Sequence, residues 1–174
     1  DANMSDAFFT ELDIPSPKIN LGIHSTSHAD MTAQMMLGIE QAIQSEMPDA
    51  LLVYGDTNST LAAALVASKL DIAIAHVEAG LRSYNRKMPE EINRVLTDHV
   101  SKHLYCPTAN AVNNLSNEGI IEGVFNTGDV MLDAFEYATQ RTLANQAITH
   151  KAPQNLKSFA LVTIHRPSNT DSSA

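Results

Sequence analysis

The chain has 174 residues, 44% of them hydrophobic, enough for one ordinary domain with a packed core. A net charge of −9 and a pI near 5.1 exclude a surface built to hold a phosphate backbone, so no nucleic-acid partner is expected. No apolar run approaches the ~20 residues of a membrane span, and Asp1 opens no charged-then-apolar leader, so a cytoplasmic protein without a membrane partner is expected.

Short β-branched or apolar runs alternate with amphipathic stretches, which predicts an α/β fold with a parallel sheet. In chain order, a helix is predicted over Met31 to Glu46, with Met35, Met36, Ile39 and Ile43 as its core stripe. A strand follows at Ala50 to Tyr54, then an Ala- and Leu-rich helix from Ser59 to Leu70. The next strand spans Ile72 to Val77, and its helix, Pro89 to Ser101, repeats apolar residues at Ile92, Val95, Leu96 and Val100. His103 to Cys106 and Gly123 to Asn126 read as strands, with helices at Ala109 to Asn117 and Met131 to Ala147. Thr149 to Lys157 reads as a linker before a last strand, Phe159 to Ile164. The absence of an initial methionine, and of the strand and glycine-rich turn that open a doubly wound sheet, predicts a piece of a longer protein.

Ligands of a parallel sheet bind outside the carboxyl ends of its strands, so the residues just past each strand are read together. They are Gly55-Asp56-Thr57-Asn58-Ser59-Thr60, Glu78-Ala79-Gly80-Leu81-Arg82-Ser83 and His165-Arg166-Pro167-Ser168-Asn169. Taken alone, Asp56 is also an ordinary helix-entrance residue. Glu78 directly follows an apolar run, where a carboxylate is costly unless paired or used. Glu90, Asn93 and Arg94 share a helical face at i, i+3 and i+4, although Pro89 and the first-turn acids Glu90 and Glu91 equally describe a helix start. Four of the eleven basic residues, Arg82, Arg86, Lys87 and Arg94, fall in this stretch, as a ligand anion or a solvated loop would each require. His24 and His28, like His99 and His103, stand four apart, but neither pair has the adjacent glutamate of a zinc-protease motif, and no metal is expected. Cys106, the single cysteine, lies at an apolar strand end and is not read as a nucleophile.

The strings Val53-Tyr54-Gly55-Asp56-Thr57-Asn58-Ser59-Thr60, His76-Val77-Glu78-Ala79-Gly80-Leu81-Arg82, Pro89-Glu90-Glu91-Ile92-Asn93-Arg94 and Thr163-Ile164-His165-Arg166 resemble, in order and spacing, the UDP-N-acetylglucosamine 2-epimerase family. The resemblance covers essentially the whole chain. It implies the first of two Rossmann-like domains in a glycosyltransferase/glycogen phosphorylase type of fold, a parallel sheet with helices on both faces. Residues 1–148 would form that domain without its first strand, 149–158 a linker, and 159–174 the start of a UDP-holding second domain. The implied reaction removes the proton on sugar carbon 2, expels UDP to give 2-acetamidoglucal, and returns UDP to a ring reprotonated on the other face. By the same resemblance Asp56, Glu78, Glu90 and His165 are the catalytic group, and Arg82, Asn93, Arg94, Arg166 and Asn169 bind the UDP-sugar. No cofactor and no metal are implied, and the full-length protein is expected to be a homodimer serving surface-polysaccharide synthesis. The region from His24 to Met35 resembles the UDP-2,3-diacetamido-2,3-dideoxyglucuronate branch, and a hydrolysing branch releases N-acetylmannosamine and UDP. One departure is local. The family often continues His-Arg through Arg or Ala to Glu-Asn, where this chain has Pro167-Ser168-Asn169. Taken as a half protein, the 174-residue chain is expected to be inactive alone, as a non-catalytic fragment or a half domain that binds nucleotide sugar.

Overall fold

Four parallel strands, β1 (Ala50–Tyr54), β2 (Ala73–Val77), β3 (His103–Cys106) and β4 (Val124–Asn126), lie in the sheet in their chain order. They belong to a computed structural model that describes residues 14–24 and 27–144 together with Phe9, Ala160 and Val162. The predicted linker, the strand Phe159 to Ile164 apart from Ala160 and Val162, and His165, Arg166 and Asn169 lie outside the described residues. The chain divides into two compact units, Asp1–Val130 and Met131–Ala174. The first holds the sheet and helices α1 (His28–Glu46), α2 (Asn58–Lys69), α3 (Pro89–Val100) and α4 (Ala109–Asn117), and α5 (Val130–Ala144) runs into the second.

The helix starts have local causes. Ser27 accepts a hydrogen bond from the Asp30 N–H, so α1 begins three residues before its predicted start. Thr57 and Thr108 cap α2 and α4 in the same way, through the N–H groups of Thr60 and Ala111. Pro89 sits in the first turn of α3, where its missing N–H costs nothing.

The register aligns Val53, His76, Leu104 and Val124 across the sheet, and on the opposite face Tyr54, Val77, Tyr105 and Phe125. The first row faces the helices. Val53 and Ile74 join Ile43 of α1 and Ala64, Val66 and Ala67 of α2 in one buried cluster, while Leu104 and Cys106 join Ala79 and Ala111 and Leu115 of α4 in another. Small residues on α2 let the helix approach the strands closely. On the other face Leu52, Tyr54 and Phe125 are exposed among the described residues.

The ladder continues past the strand ends. Gly55 N–H donates to Val77 O, Ala79 N–H to Tyr105 O and Thr127 N–H to Cys106 O, each at 3.0 to 3.1 Å. These bonds hold three successive turns along one carboxyl edge, where the sequence motifs gather.

Candidate active site

Glu78 leaves β2 with φ of 70°, a left-handed conformation that is uncommon for a residue with a side chain. The turn behind it is tightly built. Gly80, at φ of 78°, donates its N–H to Asp98 Oδ2 at 3.1 Å, and its carbonyl accepts from Asn114 Nδ2 at 2.9 Å. A Cβ at Gly80 would lie 2.4 Å from the carbonyl oxygen of Ala111, so only glycine fits. Gly55, at φ of 64°, opens the neighbouring turn, and a Cβ there would lie 3.4 Å from Glu78 Oε2. The two turns that carry Asp56 and Glu78 are thus adjacent.

The Glu78 carboxyl is pushed above its ordinary value of 4.5, first by burial and then by the negative charges of Asp129 and Asp56, against the pull of His76 and Arg94. A carboxylic acid held in this way can give or take a proton near neutral pH more readily than a solvated one. Asp56 is ion-paired with Arg94 from α3. Asn93, one residue earlier on that helix, donates to the Asp56 carbonyl at 2.9 Å and to Asn58 Oδ1 at 3.1 Å. Asp56, Glu78, Asn93 and Arg94 therefore meet at one place. Glu90 is exposed on the first turn of α3, one turn before Arg94.

Arg82 stands apart from the group. Its side chain is 1% exposed, and all three of its nitrogens donate: Nε and Nη2 to Glu118 at 2.7 Å each, Nη1 to Asp98 Oδ2 and its neighbour's Leu81 O at 2.7 Å each. Burial works against the guanidinium charge, but the hydrogen bonds it donates to Glu118 and Asp98 outweigh it and hold its pKa above the ordinary arginine value. No edge is left for a ligand phosphate. Arg82 instead anchors the loop that follows Glu78.

Four contributors are not legible as site residues from the motifs. Glu91, 2% exposed, accepts from the Ser83 N–H and hydroxyl at 2.9 Å each and from the Tyr84 N–H at 2.8 Å, and lies 3.4 Å from Arg94. Burial would raise its pKa, yet those donors bring it below 4.5. It clamps the loop between β2 and α3 and backs Arg94 on the side away from Asp56. Asp98 and His76, both fully buried, share a hydrogen bond of 2.7 Å. Glu118 completes the pairing of Arg82 from beyond α4. One signal does announce part of this set: Glu91, Arg94 and Asp98 recur at i, i+3 and i+7, the spacing of one helical face. Cys106 is fully buried, and burial followed by the nearby Asp98 pushes its thiol up to about 11, which leaves it protonated and a poor nucleophile.

The family model for UDP-N-acetylglucosamine 2-epimerase matches residues 1–174, the whole chain. The chain belongs to the UDP-N-acetylglucosamine 2-epimerase family. It is 54% identical over 172 residues to a UDP-N-acetylglucosamine 2-epimerase homolog of Methanococcus maripaludis, covering 98% of this chain and 48% of that protein. It is 51% identical over 174 residues to the UDP-2,3-diacetamido-2,3-dideoxy-D-glucuronate 2-epimerase of Pseudomonas aeruginosa, with 98% and 48% covered. The crystal structure of the Methanocaldococcus jannaschii UDP-GlcNAc 2-epimerase in complex with UDP-GlcNAc and UDP superposes with a TM-score of 0.91 at 47% identity, covering 97% of this chain and 47% of that one. The chain spans about half the length of the curated relatives it matches. Its parallel α/β sheet is the fold class expected from the sequence and is shared with UDP-GlcNAc 2-epimerase structures over about half of their length. No described helix is long and apolar enough to cross a membrane.

Proposed function

We propose that the protein containing this chain is a UDP-N-acetylglucosamine 2-epimerase that interconverts UDP-GlcNAc and UDP-ManNAc by elimination of UDP and re-addition across 2-acetamidoglucal. The observation that carries this reading is the pair of adjacent strand-end carboxylates, Asp56 and Glu78, with Glu78 raised by burial and by its acidic neighbours. Carbon 2 of the sugar is not flanked by a carbonyl, so its proton is weakly acidic. Removing it needs a positioned base with a tuned pKa, and returning it on the other face needs a second acid. Asp56, Glu78 and Glu90 are assigned to that acid and base work. Arg94 and Asn93 set the position of Asp56, and Arg94 places a cation where the departing diphosphate gathers charge. His165, Arg166 and Asn169 are assigned to the same diphosphate by their family motif. Arg82 is assigned to holding the loop. A cytoplasmic location and a homodimer go with this reading, testable by fractionation and by light scattering.

A second substrate has specific support, because the 51% identical Pseudomonas relative is named for UDP-2,3-diacetamido-2,3-dideoxy-D-glucuronate. Parallel assays on both UDP-sugars decide between them. In heavy water the full-length protein is expected to place deuterium at carbon 2 of both epimers, with Asp56→Asn, Glu78→Gln and Glu90→Gln each lowering turnover on the order of a hundredfold while the fold survives. Epimerisation without isotope uptake would remove the elimination route. Stoichiometric release of free UDP would move the protein to the hydrolysing branch.

A further inference from the structure

His76 occupies β2 two residues before Glu78, and its ring is fully buried between two acceptors. Nε2 lies 2.8 Å from the carbonyl oxygen of Gly55, which can only accept, so Nε2 carries a proton. Nδ1 lies 2.7 Å from Asp98 Oδ1. The other oxygen of Asp98 already accepts from Gly80 N–H at 3.1 Å and from Arg82 Nη1 at 2.7 Å. A carboxylate holding a guanidinium and a backbone N–H is ionised and accepts only, so Nδ1 donates as well. A neutral imidazole has one donor and cannot satisfy both contacts. Both ring nitrogens face acceptors, as an imidazolium requires, and with that charge the chain His76, Asp98, Arg82 and Glu118 alternates two cations with two anions. That balance is what makes four buried or half-buried charges tolerable.

The contacts of this pair are also specific in place. Gly55 directly precedes Asp56, and Gly80 follows Glu78 by two residues. Both glycines have positive φ. Resting on the epimerase reading, we propose that His76 is a positioning residue, a buried imidazolium that, through Gly55 O on one side and Asp98 with Gly80 N–H on the other, fastens the turn carrying Asp56 to the turn carrying Glu78. Its fixed charge has a second consequence. The titratable groups tied to it are Asp98 from α3, which itself pairs with Arg82 and acts on the Cys106 thiol, and Glu78 at the end of its own strand, with Asp56, Asp129 and Arg94 around Glu78. Among these, His76 favours the ionised form of Glu78.

Two measurements on the full-length protein test this. Nitrogen-15 spectra of selectively labelled histidine should show both His76 ring nitrogens carrying a proton in the folded protein, as donors to Gly55 O and Asp98 Oδ1 must. A single neutral tautomer overturns the proposal. His76→Gln keeps a donor for Gly55 O but loses the charge and the link to Asp98. It should lower kcat by about tenfold with KM changed by less than about threefold, and move the Glu78 limb of the pH–rate profile to higher pH. A folded His76→Gln enzyme with that limb unmoved also overturns it. The ring measurement needs no turnover, so a neutral ring in an active enzyme overturns this inference alone. An imidazolium in a protein without epimerase activity overturns the epimerase reading alone.

Discussion

Helices α2 and α3 pack against each other on the same side of the sheet, each following a strand, yet they turn opposite chemistries inward. Leu61, Ala62, Ala64, Val66 and Ala67 of α2 are buried, whereas the buried residues of α3 are Glu91, Asn93, Thr97 and Asp98, with Ile92 and Leu96 exposed. The inner face of α2 is held by apolar area and close packing. That of α3 is held by hydrogen bonds and ion pairs to the loop after Glu78, to Asp56 and to His76. The difference teaches that α3 belongs to the site as much as to the scaffold. Its stability and the geometry of the carboxylates rest on the same contacts.

The largest effect should come from breaking the buried ion pair. Asp98→Ala leaves His76 and the buried Arg82 without their shared partner and the Gly80 N–H without an acceptor. Removing one partner of such a pair costs about 3–5 kcal/mol, read as a fall in the denaturation midpoint. A change within experimental scatter would mean that the pair carries no net stability and that α3 is held chiefly by its apolar residues.

On the α2 side the expected cost is smaller and has a different origin. Ala67 is fully enclosed among Ile43, Val53 and Ile74, and Ala67→Leu forces side chains off their rotamers at about 1–3 kcal/mol. Calorimetric unfolding checks it. Tolerance of the larger side chain would show that the packing between α2 and the sheet is loose.

Acid should separate the two helices further. The Glu91 carboxyl ionises below 4.5 in the folded chain and nearer that ordinary value when unfolded, so its contribution is complete above the unfolded value and is lost as pH falls through the folded one. Glu118, lowered chiefly by its hydrogen bonds from Arg82, acts in the same direction. Glu78, raised, acts oppositely and favours the folded state as it takes up a proton. Stability measured against pH below about 5 should therefore fall less steeply in Glu91→Gln than in the parent chain. An unchanged slope would mean that Glu91 is not the group that senses acid.

These contrasts also mark what was legible in advance. Parallel strands with intervening helices follow from period and turn residues, and the strand bounds at Ala50–Tyr54 and His103–Cys106 match those expected. Such patterns report burial of apolar side chains, and α2 obeys them. α3 does not: Ile92 and Leu96 predict its helix correctly but point away from its polar inner face. Asp56 and Glu78 stand out because they follow apolar strands in turns. Asp98 and His76 do not, because a buried hydrogen bond joins residues 22 apart and no local spacing encodes it. Arg82 misleads for the same reason. A cation near acids in sequence reads as a ligand contact until its partners Asp98 and Glu118 are seen to enclose it.

The smallest effect is expected on the outer face of α3. Leu96 is 43% exposed and Ile92 37%, and neither belongs to either buried core cluster. Leu96→Gln keeps a side chain of similar length and high helix propensity, so it should change stability by no more than about 0.5 kcal/mol, as surface substitutions do. The measurement sharpens the comparison because the same substitution at Leu61, inside the α2 face, would bury an unpaired amide. A loss of more than about 2 kcal/mol at Leu96 would instead match the burial of a whole leucine side chain. In that case the apolar stripe of α3 is covered by another surface in the full-length protein, and the polar face would be one of two buried faces of the helix.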